Sequence, residues 1–210
     1  MHTEQIKRLV FFSDTHGRHE DVALPEGDIL IHAGDVCDKG NEDQVHQFIE
    51  WFANQPFEYK IFIAGNHDFN LETGRILIPA ALPKEITYLQ DSGVVVYGKK
   101  IWGAFSAQND EYFQPGLIPE DIDILITHIP PWKILDQSPQ GQHKGSAELS
   151  IRVRELKPDM HLFGHIHYSH GKRQIDGTQY ANGSQYKASI KQIVRKPHVF
   201  ELPVAPLASI

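Results

Sequence analysis

Cysteine is nearly absent from this chain, since Cys37 is the single example among 210 residues. One cysteine cannot form an intrachain disulfide, so the composition excludes a disulfide-stapled fold and favours a reducing compartment. Long apolar runs are also missing, because no stretch reaches the roughly 18 apolar residues that a membrane span requires. Residues 1–7 lack the apolar segment of a secretory signal peptide. We therefore expect a cytoplasmic protein with no membrane partner.

An excess of positive charge is missing as well. Lysine and arginine total 20 against 27 acidic residues, which gives a formal net charge of −7 and a pI near 6.0. This balance argues against stable polynucleotide binding, which is typically served by a basic face. The nucleophile elbow of serine hydrolases and the phosphate loop of nucleotide triphosphatases do not occur. No repeat or linker divides the chain, so we predict one domain over residues 1–210, of unknown oligomeric state.

Polar, ligand-type residues follow apolar runs five times along the chain. The motif Gly-Asn-His-Asp at 65–68 comes directly after the run 59–64, which is typical of a strand. The other runs end at Asp-Thr-His (14–16), Gly-Asp (34–35), His-Ile-Pro-Pro (128–131) and Gly-His-Ile-His (164–167). Open α/β sheets bind ligands at the carboxyl ends of their strands, so these side chains are predicted to share one site.

The first half of the chain predicts a parallel sheet. Apolar runs at 7–13, 28–33 and 59–64 favour strands, and residues 42–54 have helical spacing with Asn41 as N-cap. Residues 69–83 are ambiguous, and we predict a helix over part of them. Three short runs at 86–89, 94–97 and 100–105 indicate antiparallel strands that begin a second sheet.

The second half returns to apolar strands separated by loops. We predict strands at 122–127, 160–163 and 198–201, a helix over 146–156 and a hairpin around Asp176-Gly177. The polar segments 106–119 and 128–144 are predicted loops. A loop as long as the second is usually functional or mobile in a compact domain.

Each motif alone is weak. Asp-x-His and Gly-Asp occur often by chance, and an aspartate after a strand is commonly a turn residue. Gly-Asn-His-Asp and Gly-His-x-His are rarer, and all five occur in one order at predicted strand ends. Carboxylate, amide and imidazole ligands suit divalent metals such as Mn, Fe, Zn, Ni or Co, and no cysteine ligand is needed. The set therefore predicts a metal centre.

On these motifs the chain resembles the calcineurin-like metallophosphoesterase superfamily. Within it, the chain is most similar to the small metallophosphoesterase-domain-containing proteins related to class III cyclic nucleotide phosphodiesterases. Residues 13–17, 31–35, 59–67 and 127–131 carry this likeness. The resemblance implies a four-layer α/β sandwich, αββα, with two mixed sheets face to face and helices outside. Some relatives have Gly at the first His of the last motif and are weak enzymes, whereas this chain keeps His165.

The resemblance also implies the roles of the site residues. It assigns the bridging carboxylate to Asp35, and catalysis to His67, which contacts substrate beside Asn66. Asp68 is expected to orient His67, with a helix N-cap as the equal alternative. By the same resemblance, the first metal is held by Asp14, His16 and His167, and the second by Asn66, His128 and His165.

The implied activity is hydrolysis of phosphoesters with two divalent metals, manganese first among them, through attack by a metal-bridging hydroxide. Small phosphodiesters such as cyclic nucleotides are the expected substrates, first because of the resemblance to the cyclic nucleotide phosphodiesterase branch. The second reason is size, since the predicted sandwich uses most of the 210 residues and leaves no cap domain. The alternatives are a phosphomonoesterase or protein phosphatase, and a non-catalytic scaffold with this fold. Complete ligand motifs argue against the scaffold.

Several residues near the motifs allow two interpretations. Trp132 and Tyr168 are either stacking partners for a base or rim packing. Arg18 is interpreted as a surface residue rather than a phosphate contact, and Cys37 as a half-buried loop residue rather than a redox-sensitive thiol.

The chain has 13 histidines, and most of those outside the motifs are predicted to lie at the surface. His32 is the exception, expected to pack or hydrogen-bond near the site. The surface group comprises His2, His19, His46, His143, His161, His170 and His198.

Overall fold

Two mixed β-sheets form the centre of the fold in the computed structural model, which describes residues 5–72, 82–104 and 114–204. The helices are α1 (Glu42–Ala53), α2 (Phe69–Glu72) and α3 (Ala147–Leu156). The strands are β1 (Gln5–Phe12), β2 (Ile29–Ala33), β3 (Tyr59–Ile63), β4 (Ile86–Tyr88), β5 (Ser92–Val96), β6 (Lys99–Gly103), β7 (Ile124–Ile126), β8 (Met160–Phe163), β9 (Gly171–Ile175), β10 (Thr178–Asn182), β11 (Tyr186–Lys187), β12 (Gln192–Ile193) and β13 (His198–Val204).

The first sheet has the strand order β13-β1-β2-β3-β4. Strands β1 to β4 run parallel, and β13 pairs with β1 in the antiparallel direction. In register, Phe12 pairs with His32 and Ala33 pairs with Ile63. The predicted parallel sheet is confirmed, and its register places the carboxyl ends of β1, β2 and β3 side by side.

The second sheet has the order β5-β6-β7-β8-β10-β9, with β6, β7, β8 and β10 parallel. The predicted hairpin joins β9 to β10, because Ile175 pairs with Thr178 across a two-residue turn. Asp176 and Gly177 both have positive φ, at 50° and 91°. Two positive φ values in a two-residue loop define the type I′ turn, which Asp-Gly adopts readily.

One strand prediction is wrong. The run that begins at Ile86 forms β4, which pairs parallel to β3 in the first sheet rather than antiparallel in the second. The connection between β3 and β4 spans residues 64–85, which is long enough for the crossover that parallel pairing requires. Only β5 and β6 form the expected antiparallel start of the second sheet.

Helix α1 begins after its predicted cap, and α3 begins one residue inside the predicted range 146–156, with Ser146 as its cap. The Asn41 side chain accepts a hydrogen bond from the Gln44 amide at 3.0 Å, and Ser146 accepts one from the Leu149 amide at 3.2 Å. The helix predicted within 69–83 is seen as the short α2, and residues 73–81 lie outside the described part of the chain. The loop predicted at 106–119 is described only from residue 114, where it contains a 3-10 turn, Pro115–Leu117.

Three apolar clusters establish the layer order. Successive residues of β2 alternate, with Ile29 and Ile31 facing the second sheet and Leu30 facing α1, so the whole strand is buried. The layers are therefore α1, first sheet, second sheet and α3, which confirms the αββα sandwich. No helix in the described ranges has the length and apolar character to cross a membrane. The cluster between the sheets includes Leu9, Phe11, Ile61, Ile63, Ile101, Ile124, Ile126 and Leu162; the α1 layer includes Val45, Phe48, Phe52, Phe12 and Phe62; the α3 layer includes Leu149, Val153, Leu125 and Phe163.

Candidate metal centre

The loops that follow β1, β2, β3, β7 and β8 meet at one edge of the sandwich. Backbone hydrogen bonds fix them to one another. The Asp14 amide donates to the Gly34 carbonyl at 3.0 Å, and the amides of Thr15 and His16 both donate to the Asp35 carbonyl at 3.0 Å. The predicted convergence of strand ends therefore occurs, and these backbone hydrogen bonds support it without any side-chain contact.

Four of the predicted ligands have a left-handed backbone. The φ angles are 55° at Asp14, 46° at His16, 57° at Asp35 and 66° at His165. Residues other than glycine seldom adopt positive φ, and each such residue costs about 1–3 kcal/mol unless its surroundings impose the conformation. The interloop hydrogen bonds impose it here. Such strain is typical of functional sites, where side-chain direction outweighs backbone preference.

Two glycines are required by close approach at this edge. A Cβ on Gly65 would lie 2.4 Å from the Asp35 carboxylate, and a Cβ on Gly164 would lie 2.3 Å from that of Asp14. Both contacts are far shorter than a van der Waals distance. The glycines of Gly-Asn-His-Asp and Gly-His-x-His therefore leave the space in which the two carboxylates sit.

A first ligand group lies around Asp14. Its Oδ1 is 3.2 Å from His167 Nε2, which is itself 3.2 Å from His16 Nε2. His16 Nε2 is 3.6 Å from Asp35 Oδ2, and ligand atoms of all four residues lie within 4.8 Å of one another. Ring nitrogens that converge on two carboxylates in this way are arranged to surround a cation.

A second ligand group lies around Asn66. Its Oδ1 is 3.0 Å from His128 Nε2 and 2.8 Å from His165 Nδ1. His128 Nδ1 donates to the Ala33 carbonyl at 2.7 Å, which leaves Nε2 free to act as a ligand. Because Asp35 Oδ2 is also 3.3 Å from His128 Nε2, Asp35 joins this group to the first.

The electrostatics of the cluster favour ionised carboxylates. Burial opposes ionisation of Asp14 and Asp35, but the neighbouring imidazoles hold the pKa of each carboxyl well below its usual range. Burial also opposes protonation of His128, yet the Asp35 carboxylate raises its pKa to about 10. Burial lowers the pKa of His165 to about 4. Buried negative charge facing imidazole nitrogens suits divalent cations with mixed oxygen and nitrogen coordination.

His67 lies beside the first group and outside both ligand sets. Its ring is edge-on to His16, with centroids 4.7 Å apart, and its amide donates to Asp35 Oδ1 at 2.8 Å. His67 Nδ1 lies 3.0 Å from Asp38 Oδ1. Asp38 was not among the predicted site residues, and its local sequence does not mark it as the partner of His67.

The expected contact between Asp68 and His67 is wrong. The Asp68 carboxylate is fully buried and accepts hydrogen bonds from the amides of Val36, Cys37 and Gly65, at 3.0, 2.9 and 2.9 Å. These bonds take up its oxygens, so Asp68 ties the Asp35 loop to the Asn66 loop. Asp68 directly precedes α2, the position of a helix N-cap, but the hydrogen bonds of its carboxylate come from these three loop amides. Burial, with the charge of Asp35, raises its pKa to about 6.

Tyr186 is a second residue that the sequence did not indicate. Its ring centroid lies 4.7 Å from that of His16 and 5.6 Å from that of His167. It comes from the short β11–β12 hairpin, which packs against the 3-10 turn His167–Ser169. Nothing in its local sequence predicts this position.

Some histidines predicted at the surface are buried, and those predictions are wrong for His19, His161 and His198. Each lies against aromatic rings, which offset the loss of hydration. His46 and His143 are exposed as predicted, and His2 lies outside the described residues. His170 is partly buried, stacked on His198 with centroids 4.3 Å apart.

His32 is buried near the site, as predicted. Its Nε2 is 3.2 Å from Thr15 Oγ1 and its Nδ1 accepts from the Gly34 amide. Cys37 is fully buried rather than half-buried, and burial raises the pKa of its thiol. A thiol with a raised pKa is a poor nucleophile, which argues against a redox role.

Two aromatic residues that follow ligand motifs in the sequence are exposed. Trp132 and Tyr168 are 40% and 53% exposed, and the Lys133 ammonium lies 4.1 Å from the Trp132 ring. A stacking role for either stays a prediction. Arg18 is exposed and pairs with Asp21 at 3.5 Å, which agrees with its interpretation as a surface residue.

Comparison with known families gives one clear match. The family described as calcineurin-like phosphoesterase matches residues 7–169, a range that contains every predicted ligand. Metallophosphoesterase domain-containing protein 1 of Homo sapiens is 37% identical over 93% of this chain and 71% of its own length. A UPF0046 protein of Caenorhabditis elegans is 32% identical over 96% of this chain and 77% of its own.

Solved structures at low identity show the same fold. The protein TT1561 of Thermus thermophilus superposes with a TM-score of 0.60 at 12% identity, covering 85% of this chain and 89% of its own. GAP50, described as the anchor in the inner membrane complex of Plasmodium, gives 0.54 at 13% identity, with 94% and 81% coverage. At these identities the likeness extends to architecture alone.

Proposed function

The chain belongs to the calcineurin-like phosphoesterase family, and from that premise we propose that it hydrolyses small phosphodiesters, such as cyclic nucleotides, with the help of two divalent metal ions. The observation that carries the proposal is the Asp35 carboxylate shared by two ligand groups. Its Oδ2 lies 3.6 Å from His16 Nε2 in one group and 3.3 Å from His128 Nε2 in the other.

The side chains fit the metals that this family uses. Asp14, His16 and His167 would hold one ion, and the second set (Asn66, His128 and His165) the other, with Asp35 between them. Bound metals supply Lewis-acid stabilisation of phosphate charge and activate water near neutral pH. The donors are oxygen and imidazole nitrogen without thiolate, which favours manganese and also accommodates iron, zinc, nickel or cobalt.

His67 is the group placed to handle the leaving oxygen. Its side chain is partly exposed beside the ligands, so it can meet a substrate without leaving its partner Asp38. The Asp38 carboxylate, 3.0 Å from His67 Nδ1, fixes the orientation of the ring. We propose that His67 donates a hydrogen bond or proton to the departing alkoxide, while Asn66 contacts the phosphate.

Preference for diesters over monoesters follows from charge. A diester has one negative charge and a phosphomonoester close to two at neutral pH. The protein has a formal net charge of −7, so its overall field opposes a dianion more strongly, although bound metals dominate locally. The similarity to metallophosphoesterase-domain proteins noted from the motifs points the same way.

A substrate panel tests this function. Values of kcat/KM for bis-nitrophenyl phosphate and cyclic AMP should exceed those for nitrophenyl phosphate and AMP, at fixed Mn²⁺ and pH. Monoesters that are cleaved tenfold better would establish the phosphomonoesterase alternative instead. No turnover with Mn, Ni, Co or Zn would leave the protein a scaffold with an intact ligand set.

Metal content tests the centre independently of turnover. Protein purified without chelator and saturated with Mn²⁺ should contain two equivalents per chain by elemental analysis. The Asp35→Asn variant should contain fewer. A wild-type content of one equivalent or less at saturation contradicts the dinuclear arrangement.

A further inference from the structure

The segment that follows β10 borders the centre, although it lies beyond residue 169, where the family match ends. The Ser13 amide donates to the Gly183 carbonyl at 3.0 Å, and the Gln185 amide donates to the Ser13 carbonyl at 2.9 Å. Ser13 directly precedes the ligand Asp14. Together with the Tyr186 ring against His16, these bonds make residues 183–186 one wall of the site.

Arg195 is seated on this wall. Its Nη1 donates to the carbonyl oxygens of Ser184 and Tyr186, at 3.4 and 3.2 Å, and the side chain is partly buried. Within the described ranges, the arginine ion pairs are Arg18 with Asp21 and Arg152 with Glu155. Arg195 has no carboxylate partner among those residues. A guanidinium with donors that these carboxylates do not occupy is suited to an anionic ligand.

The electrostatic surroundings of Arg195 point toward the centre. Burial lowers the pKa of its guanidinium, and the negative charge of Asp14 opposes that effect. The guanidinium therefore lies within electrostatic reach of the first ligand group and stays protonated, as arginine does in proteins. Its Nε and Nη2 groups have no hydrogen-bond acceptor among the described residues, which leaves donors for an incoming oxyanion.

We propose that Arg195 binds the phosphate group of substrate and product, donating hydrogen bonds to an oxygen that does not react. The inference rests on the proposed function. Guanidinium groups match phosphate oxygens in a planar, bidentate manner that lysine cannot reproduce. Because a monoester product has more negative charge than a diester, Arg195 should stabilise product binding more than substrate binding.

The test compares Arg195→Gln, which removes the charge but keeps an amide donor, with Arg195→Lys. Arg154→Gln is the matched control, because the Arg154 guanidinium also donates to a backbone carbonyl, that of Ser150 at 3.0 Å, on α3 in the outer helical layer. Calorimetry with Mn²⁺-loaded protein gives the Kd of AMP, and kinetics give KM and kcat for bis-nitrophenyl phosphate. Thermal melting checks that each variant is folded.

Arg195→Gln should raise the Kd of AMP about tenfold or more, since hydrogen bonds to charged groups typically contribute at this level. KM for the diester should rise by a smaller factor with kcat nearly unchanged, and Arg195→Lys should recover part of the loss. Arg154→Gln should match the wild type. An AMP Kd within twofold of wild type in folded Arg195→Gln overturns the inference.

Two outcomes separate this inference from the proposed function. Diester turnover with unchanged AMP binding and KM in Arg195→Gln rejects the role of Arg195 and keeps the function. Loss of AMP binding in that variant, in a protein that cleaves no diester, keeps the anion site and rejects the diesterase. If Arg195→Gln does not fold, Arg195→Lys decides, because wild-type AMP affinity there contradicts bidentate binding.

Discussion

The two sheets contribute different chemistry to the shared edge. Loops of the first sheet supply the carboxylates of Asp14, Asp35 and Asp38, the Asn66 amide and one ligand imidazole, that of His16, whereas loops of the second supply only imidazoles among the predicted ligands. Contacts between the loops of the two sheets pair a carboxylate with an imidazole, as in Asp14 with His167 at 3.2 Å and Asp35 with His128 at 3.3 Å. The pKa values of His128 and His167 are raised by these carboxylates even though burial opposes it.

Because of this difference, the centre and the fold depend on each other. The first sheet holds negative charge that is stable only opposite a cation, and the second sheet holds neutral or protonated bases that face it. Protons fill that role in the metal-free protein, and metals would fill it in the loaded one. A substitution that removes one kind of group should therefore have a different signature from a substitution that removes the other.

Removing the shared carboxylate should have the largest effect on turnover. Asp35→Asn leaves imidazoles on both sides without the anion that joins the two groups. Lewis-acid stabilisation is worth several kcal/mol, and about 4 kcal/mol corresponds to a thousandfold in rate, so turnover should fall roughly a thousandfold or more. Kinetics at modest Mn²⁺ measure this, and wild-type turnover there would contradict the bridging role.

Replacing His67 should separate catalysis from metal binding. His67→Ala should keep two metals, because the side chain lies outside both ligand groups, while turnover falls about a hundredfold to ten-thousandfold through loss of proton transfer. The defect should shrink for a nitrophenolate leaving group, which needs little protonation. Elemental analysis alongside the kinetics is decisive, since a variant that loses metal would place His67 among the ligands.

Replacing Asp38 and Asp68 one at a time should show that these two carboxylates of the first sheet have different roles. Asp38→Asn weakens the group that contacts His67 and should lower kcat about tenfold to a hundredfold with little change in stability. Asp68→Ala leaves three buried amides without their acceptor and should chiefly lower the free energy of unfolding, by about 3 kcal/mol. Urea unfolding and kinetics on both variants distinguish them, and the reversed pattern would restore Asp68 as the partner of His67.

A smaller effect concerns two histidines that occupy similar positions in the two sheets. His32 contacts Thr15 in the first sheet at 3.2 Å, and His161 contacts Thr127 in the second at 2.9 Å. Burial lowers the pKa of each to about 3. The unfolded chain, with a histidine pKa near 6.5, takes up these protons first, so their contribution to stability is complete above about pH 6.5 and is lost as the pH falls toward 3.

His161→Gln should therefore reduce the acid sensitivity of the fold. Between pH 6.5 and 5 one such histidine accounts for about 2 kcal/mol of lost stability, and the variant should lack that loss. Urea unfolding at several pH values measures the slope. An unchanged slope would mean that His161 protonates inside the fold at its ordinary pKa.

The sequence predicted the parallel core well because buried parallel strands are continuous apolar runs. Strands β1, β2 and β3 stand out for this reason, and the polar residue after each run is automatically at the ligand-binding edge. The pairing of β4 was predicted wrongly because a strand of three residues does not indicate which strand it pairs with. Its apolar character suits either sheet, and the pairing with β3 is decided by packing between distant segments.

The remaining errors have a common physical cause. Asp38 and Asp68 are the same residue type near the same motifs, and only the folded backbone shows which one faces His67 and which one accepts three amides. Tyr186 and Arg195 reach the site through β11 and β12, which are two residues each and leave no periodic pattern. Burial of His19, His161 and His198 likewise depends on aromatic neighbours from other elements.

The position of β1 has a consequence for how the protein is made. β1 is an inner strand, and Phe11 pairs with His198 of β13 on one side. At translation rates of about 5–20 residues per second, β1 waits roughly ten to forty seconds on the ribosome before that neighbour emerges. During this time it is an open, apolar edge of the kind that recruits other strands. At high expression levels this protein should therefore aggregate through the unpaired edge of β1. Slower translation initiation or a bound chaperone should raise the yield of native chains.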